Sequence, residues 1–167
     1  MKIVVVSDTH IPKKAKGFPS RLVRDLQSAD LIIHAGDWQT VEVYNELCQF
    51  GKVVGVTGNV DSPELGKRLN AREIVEVEDF RFGVVHGHGI GKTTEKRAKA
   101  AFLEGEVDCI IFGHSHIPLL KLEDDLVLFN PGSATDKRRQ KQYSYGMITL
   151  SSEPKFEHIF YDEKSTL

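Results

Sequence analysis

The run IVVVSDTH, residues 3–10, sets four apolar residues directly against Ser7, Asp8, Thr9 and His10. A short apolar, β-branched run bounded by polar residues fits a strand buried on both faces. The pattern repeats in LIIHAGD at 31–37 and VVGVTGN at 53–59. Between these runs the period changes. PSRLVRDLQ places Leu22, Val23 and Leu26 on one helical face, and TVEVYNELCQF does the same with Val43, Leu47 and Phe50. A β-α-β-α-β alternation predicts a parallel sheet with right-handed crossovers.

Strand patterns dominate from Arg72 onward. EIVEVED and RFGVVHG are separated by a short Asp79-Phe80 turn, and a helix is expected over 92–103. VDCIIFGH, PLLKLEDD, LVLFNPG, YSYGMITL and KFEHIFYD follow as further strands. A strand-rich second half predicts a second sheet stacked on the first. With no linker, repeat or low-complexity stretch, one domain over residues 1–167 is the expected organisation.

The bulk numbers narrow the function classes. A composition 40% hydrophobic and 28% charged is that of a globular protein able to bury a core. The net charge of −2, from 22 basic and 24 acidic residues, argues against wrapping a long nucleic acid but admits a small phosphate ester. Cys48 and Cys109 sit in apolar contexts and read as buried free thiols. The N-terminal apolar run is too short for a signal peptide or a membrane span, so a cytoplasmic protein with no membrane partner is expected. A homo-oligomer is compatible with everything above.

Five apolar runs end in seven ligand-type side chains: Asp8 and His10, Asp37, Asn59, His86, then His114 and His116. Carboxyl ends of strands are where open α/β sheets build their sites. Singly, each ending is an ordinary turn or helix cap. Together they point to a shared metal site, because turns alone give no reason to gather three histidine-bearing endings. Imidazole with carboxylate suits Mn, Ni, Zn, Fe or Co, and the lack of Cys at these ends argues against a structural thiolate zinc. Seven ligands exceed one ion and fit two, roughly 3.5–4 Å apart.

In this order the residues resemble the calcineurin-like metallophosphoesterase superfamily, whose pattern is D-x-H, G-D, G-N-H-[D/E], a lone His and G-H-x-H. Here the elements stand as Asp8-Thr9-His10, Gly36-Asp37, Gly58-Asn59-Val60-Asp61, His86 and Gly113-His114-Ser115-His116. The likeness spans Met1 to about Gly132 and, with NPGS at 130–133, is similar to the small bacterial and archaeal phosphodiesterase branch. It implies an α/β fold, a four-layer αββα sandwich of two stacked mixed β-sheets flanked by helices. It also implies that Asp8, His10, Asp37 and His116 hold one divalent ion and Asp37, Asn59, His86 and His114 a second, manganese foremost. Asp37, Asn59 and His86 would be the catalytic positions, and a hydroxide shared by the ions would attack phosphorus in line. The superfamily also includes a non-catalytic scaffold, the small metallophosphoesterase-like subunit of the retromer coat, which is the alternative reading.

Val60 departs from the pattern. Many superfamily members carry there a His that helps protonate the leaving group, so Val60 implies a preference for acidic leaving groups such as aryl phosphodiesters. His88 reads as a loop histidine or a substrate contact, His34 as a hydrogen-bonded core histidine, and Asp61 as a support for the loop. GHGIGKTT at 87–94 has one residue too few between its glycines for a nucleotide-binding loop. In the basic run DKRRQKQ at 136–142, Arg138 and Arg139 are candidate phosphate contacts.

Overall fold

A computed structural model describes residues 1–166. The first sheet starts with β1 (Lys2–Val6), β2 (Leu31–His34) and β3 (Val53–Gly55), joined by α1 (Ser20–Leu26) and α2 (Val41–Cys48). β1 pairs parallel with β2, and β2 with β3. The period of two along β1 splits its side chains between two cores. Val4 and Val6 join Leu22, Leu26, Val43 and Leu47 under the helices, while Ile3 and Val5 face Phe82, Val84 and Phe129 of the other sheet.

The second sheet is ordered β4 (Arg72–Val77), β5 (Phe80–Val85), β6 (Cys109–Ile111), β8 (Leu126–Asn130) and β7 (Leu119–Glu123). On its outer side α4 (Thr94–Ala100) contributes Ala98 to a third apolar cluster with Phe102, Ile110, Phe112 and Leu128. Three cores between four layers make the αββα sandwich.

Five expectations change in detail. The two last strands, β9 (Tyr143–Thr149) and β10 (Lys155–Tyr161), leave the second sheet and extend the first antiparallel beside β1. Gly146 shows how closely β9 is seated, because a Cβ there would strike the Phe129 ring of the opposite sheet. A short helix not expected, α3 (Pro63–Arg68), starts with Ser62 accepting from the Leu65 amide, a cap-then-proline signature. α4 is shorter than 92–103, because Thr93 is its extended N-cap and its side chain accepts from the Lys96 amide. The hairpin turn falls at Glu78-Asp79, and Phe80 belongs to β5, where its ring packs on Phe82 and Phe156. Cys48 is exposed, one position past the buried Leu47 on α2, whereas Cys109 is buried in a strand.

Candidate metal centre

Strands from both sheets deliver their carboxyl ends to one edge, and the loops there are tied before any ligand is considered. The Asp8 amide donates to the Gly36 carbonyl at 3.0 Å, His10 to Asp37 at 3.1 Å, and Gly113 to His86 at 3.1 Å. Such backbone continuity fixes side chains whose own conformations are costly. Among the described residues ten non-glycines have positive φ, and seven of them are Asp8, His10, Asp37, Gln39, His114, His116 and Arg138. Strain of this kind persists where surrounding structure over-determines it, and it clusters at functional sites.

Two trios emerge, Asp8 with His10 and His116, and Asp37 with His86 and His114, each offering donor atoms within 4.8 Å of one another. The carboxylates use their oxygens differently. Asp8 Oδ2 accepts from the Ser7 hydroxyl at 2.8 Å and the His114 amide at 3.0 Å, leaving Oδ1 facing His116 Nε2 at 3.3 Å. Asp37 Oδ1 accepts from the Val60 amide at 3.1 Å, leaving Oδ2 at 3.2 Å from His86 Nε2 and 3.4 Å from His10 Nε2. Asp37 therefore touches both trios. Asn59 Oδ1 lies 3.1 Å from His86 Nε2.

Backbone carbonyls orient the imidazoles. His86 Nδ1–H donates to the Ala35 carbonyl at 2.7 Å, and His116 Nδ1–H to the Asp136 carbonyl at 2.5 Å. In both rings Nε2 is the nitrogen turned inward, the one that a metal would take, which is the arrangement metal-binding histidines use. Asp61 holds the loop from below, accepting from the Asp37 and Gln39 amides at 3.1 and 2.7 Å and from Gly58 at 2.7 Å. Gly58 is required there, since a Cβ would collide with the Asp37 carboxylate.

Among the described residues three buried side-chain atoms have no hydrogen-bond partner: Asp8 Oδ1, His10 Nε2 and His116 Nε2. Leaving such groups unpaired costs about 1–3 kcal/mol each. A divalent cation accepting nitrogen and oxygen donors would satisfy all three at once, so the residues fit the group that the sequence implies. Burial alone would push the Asp8 carboxyl up, but the His10 and His116 imidazoles alongside hold it well below the usual carboxylate range. Asp37 is likewise lowered, burial being outweighed chiefly by His86. For His86 the balance runs the other way: burial pushes it down, and the Asp37 and Asp8 carboxylates raise it overall. His114 and His88 are lowered, by burial first and then by the charge on His86.

The remaining candidates separate. His88 stands at the rim, its ring 5.5 Å from His86 and 6.3 Å from His114. Its loop is held by Arg97, which donates to the carbonyls of Gly87, Gly91 and Lys92. His34 is fully buried, stacked 3.7 Å from the Trp38 ring, with Nδ1 accepting from the Gly36 amide and Nε2 bonded to the Thr9 hydroxyl. Arg138 lines a cavity of about 300 Å³ beside His10, whereas Arg139 is exposed and does not. Lys13, Lys14 and Gln39 also line that cavity. The sequence signal for the lysines was the basic pair that closely follows D-x-H. A larger cavity of about 770 Å³ lies at the opposite ends of β6 and β8, lined by Asp108 and Leu126 and by none of the seven ligand candidates. No helix among the described residues is long and apolar enough to cross a membrane.

Known proteins resemble the chain over most of its length. Residues 1–153 match the calcineurin-like phosphoesterase superfamily domain. A probable metallophosphoesterase of Methanothermobacter thermautotrophicus is 36% identical over 138 residues, 83% of this chain and 80% of that protein. A phosphodiesterase of Methanocaldococcus jannaschii is 29% identical over 146 residues, 79% of this chain and 83% of that protein. The crystal structure of wild-type Vps29 from Entamoeba histolytica complexed with zinc superposes with a TM-score of 0.75 at 22% identity, covering 96% of this chain and 99% of that one.

Proposed function

Because the chain belongs to the calcineurin-like phosphoesterase superfamily, we propose that it is a cytoplasmic, divalent-metal-dependent phosphodiesterase acting on a small phosphate ester. One ion would be held by Asp8, His10, Asp37 and His116, and a second by Asp37, Asn59, His86 and His114, with manganese the first choice. The observation that carries this reading is the meeting of two donor trios at Asp37 Oδ2, beside three buried side-chain atoms that have no hydrogen-bond partner among the described residues. When bound, the two ions supply Lewis-acid stabilisation of the phosphoryl oxygens and a water of lowered pKa for in-line attack.

The chain's own residues do the rest. Asp37 offers one oxygen to both trios, while the Val60 N–H donates to its other oxygen and Asp61 accepts from its backbone amide. Ala35 and Asp136 hold the His86 and His116 rings in the tautomer that presents Nε2. His88 and Arg138 stand at the rim, where a substrate enters. Hydrolysis of bis-p-nitrophenyl phosphate tests the reading. Activity is expected with Mn²⁺, and it should disappear with chelator and in Asp37→Asn or His114→Ala. Stoichiometric metal binding without turnover of any phosphate ester would instead favour a non-catalytic metal-binding scaffold, a reading that the absence of His at Val60 keeps in view.

A further inference from the structure

The 300 Å³ cavity beside His10 is lined by more cations than carboxylates. Its wall brings together Lys13, Lys14 and Arg138 against a single carboxylate, Asp136, in a protein whose net charge is −2. Lys14 Nζ lies 3.7 Å from Asp136 Oδ2, so this pair largely cancels. Neither Lys13 nor Arg138 has a carboxylate partner among the described residues; the Arg138 guanidinium reaches only the His114 carbonyl, at 3.5 Å.

These cations sit on a braced frame. The Lys14 amide closes a turn on the His10 carbonyl at 2.7 Å, and the Lys13 amide donates to Gln39 Oε1 at 3.0 Å. Asp136, two residues before Arg138, gives its amide to Ser133 Oγ at 2.8 Å and its carbonyl to His116 Nδ1. The cavity is thus anchored to the same loops as the donor trios. Val60 also lines the cavity, and the Val60 amide donates to the Asp37 carboxylate.

An alkoxide leaving into this cavity would find no side chain at Val60 able to protonate it. A group whose negative charge persists after departure needs no proton, only fixed cations, and pre-placed charge is an effective way of stabilising charge that develops in a transition state. Resting on the phosphodiesterase reading above, we propose that the preferred substrates are phosphoanhydride-linked diesters, whose leaving group is itself a phosphate received by Lys13 and Arg138. The oxygen of water bonds to the attacked phosphorus. The bond from that phosphorus to the bridging oxygen breaks, and its electron pair leaves with the departing phosphate. Two phosphomonoesters result, with the protons of water shared between them and solvent.

Two measurements on the Mn²⁺-loaded full chain test this. The first compares kcat/KM on a dinucleoside diphosphate, on the corresponding dinucleoside monophosphate and on bis-p-nitrophenyl phosphate. The anhydride should exceed the alkyl diester at least tenfold, and Lys13→Gln or Arg138→Gln should lower the ratio of anhydride to aryl diester by roughly tenfold each, the scale of one charge-assisted hydrogen bond. The second is calorimetric binding of α,β-methylene adenosine diphosphate, which cannot be cleaved at its bridge. Its dissociation constant should rise by roughly tenfold in either Gln variant and stay near wild type in Lys13→Arg, which keeps the charge. Turnover of bis-p-nitrophenyl phosphate with no preference for the anhydride, or Gln variants that slow all substrates equally, overturns the proposal and leaves the phosphodiesterase reading standing. Failure to hydrolyse any ester removes both.

Discussion

Val60 and His34 show how differently two single positions near one site can be constrained. The Val60 backbone is committed, because its amide holds Asp37, but its side chain is 42% exposed and lines the open cavity. Val60→His should therefore fold with a stability change within about 0.5 kcal/mol. It should also raise hydrolysis of alkyl relative to aryl phosphodiesters by on the order of 10²-fold, since a proton donor matters most for a poor leaving group. An unchanged ratio in parallel assays would mean that Val60 is not what limits alkyl esters. His34 is enclosed, and burial, opposed only in part by the Asp8 charge, lowers its pKa to about 3. In the unfolded chain it titrates near 6.5, so between pH 6.5 and 3 the unfolded state binds the extra proton and stability falls as the pH falls. From pH 7 to 5 this one group removes about 2 kcal/mol. Urea unfolding of chelator-treated wild type and His34→Gln should show the advantage of the wild type shrinking by that amount; a constant gap would mean that His34 takes up its proton as readily in the folded state as in the unfolded one.

The loop after β8, NPGSAT at 130–135, braces the site without supplying a ligand. Asn130 Nδ2 donates to the Gly113 carbonyl at 3.0 Å and the Ser115 hydroxyl at 3.1 Å, while its Oδ1 accepts from the Gly132 amide at 2.9 Å. Ser133 Oγ donates to the Asp8 carbonyl at 2.8 Å, and the Thr135 hydroxyl donates to Thr9. One segment thereby joins the loop bearing Asp8 and His10 to the loop bearing His114 and His116. Asn130→Ala would leave at least the Gly113 carbonyl and the Gly132 amide short of partners in a fully buried position, a loss of on the order of 2–4 kcal/mol in denaturant unfolding. It should also weaken metal binding measured by calorimetry, whereas a stability loss with unchanged metal affinity would show that the segment does not position the histidines. The resemblance included NPGS, but nothing in the letters says which backbone groups Asn130 meets. The ligand-type residues were legible because they recur at the ends of apolar runs. Their orienting partners are carbonyls of Ala35 and Asp136, which every residue has, and so left no mark in the sequence.

At the scale of the whole molecule the period-two and helical patterns were enough to foresee stacked sheets, yet not which sheet receives which strand. β9 and β10 return to β1, and there Gly146 admits the Phe129 ring from the opposite sheet, a fit between residues 17 positions apart that no local pattern encodes. The same topology sets the consequence of metal loading. Asp8, His10 and Asp37 follow strands of the first sheet, while His86, His114 and His116 follow strands of the second, so each trio draws on both sheets. Ions bound at the two trios would tie the sheets together at that edge and relieve the three unpartnered donors, and ligand that binds only the folded state stabilises it by about 2.7 kcal/mol at a hundred times its dissociation constant. For a chain of this length each kcal/mol is worth about 2–4 °C, so each Mn²⁺ bound at that excess should raise the thermal midpoint by about 5–11 °C over chelator-treated protein. Asp37→Asn should lose most of that increment, because it weakens both trios at once. A midpoint that does not respond to Mn²⁺, Zn²⁺, Ni²⁺, Co²⁺ or Fe²⁺ would mean that the buried donors at this edge are not a metal site.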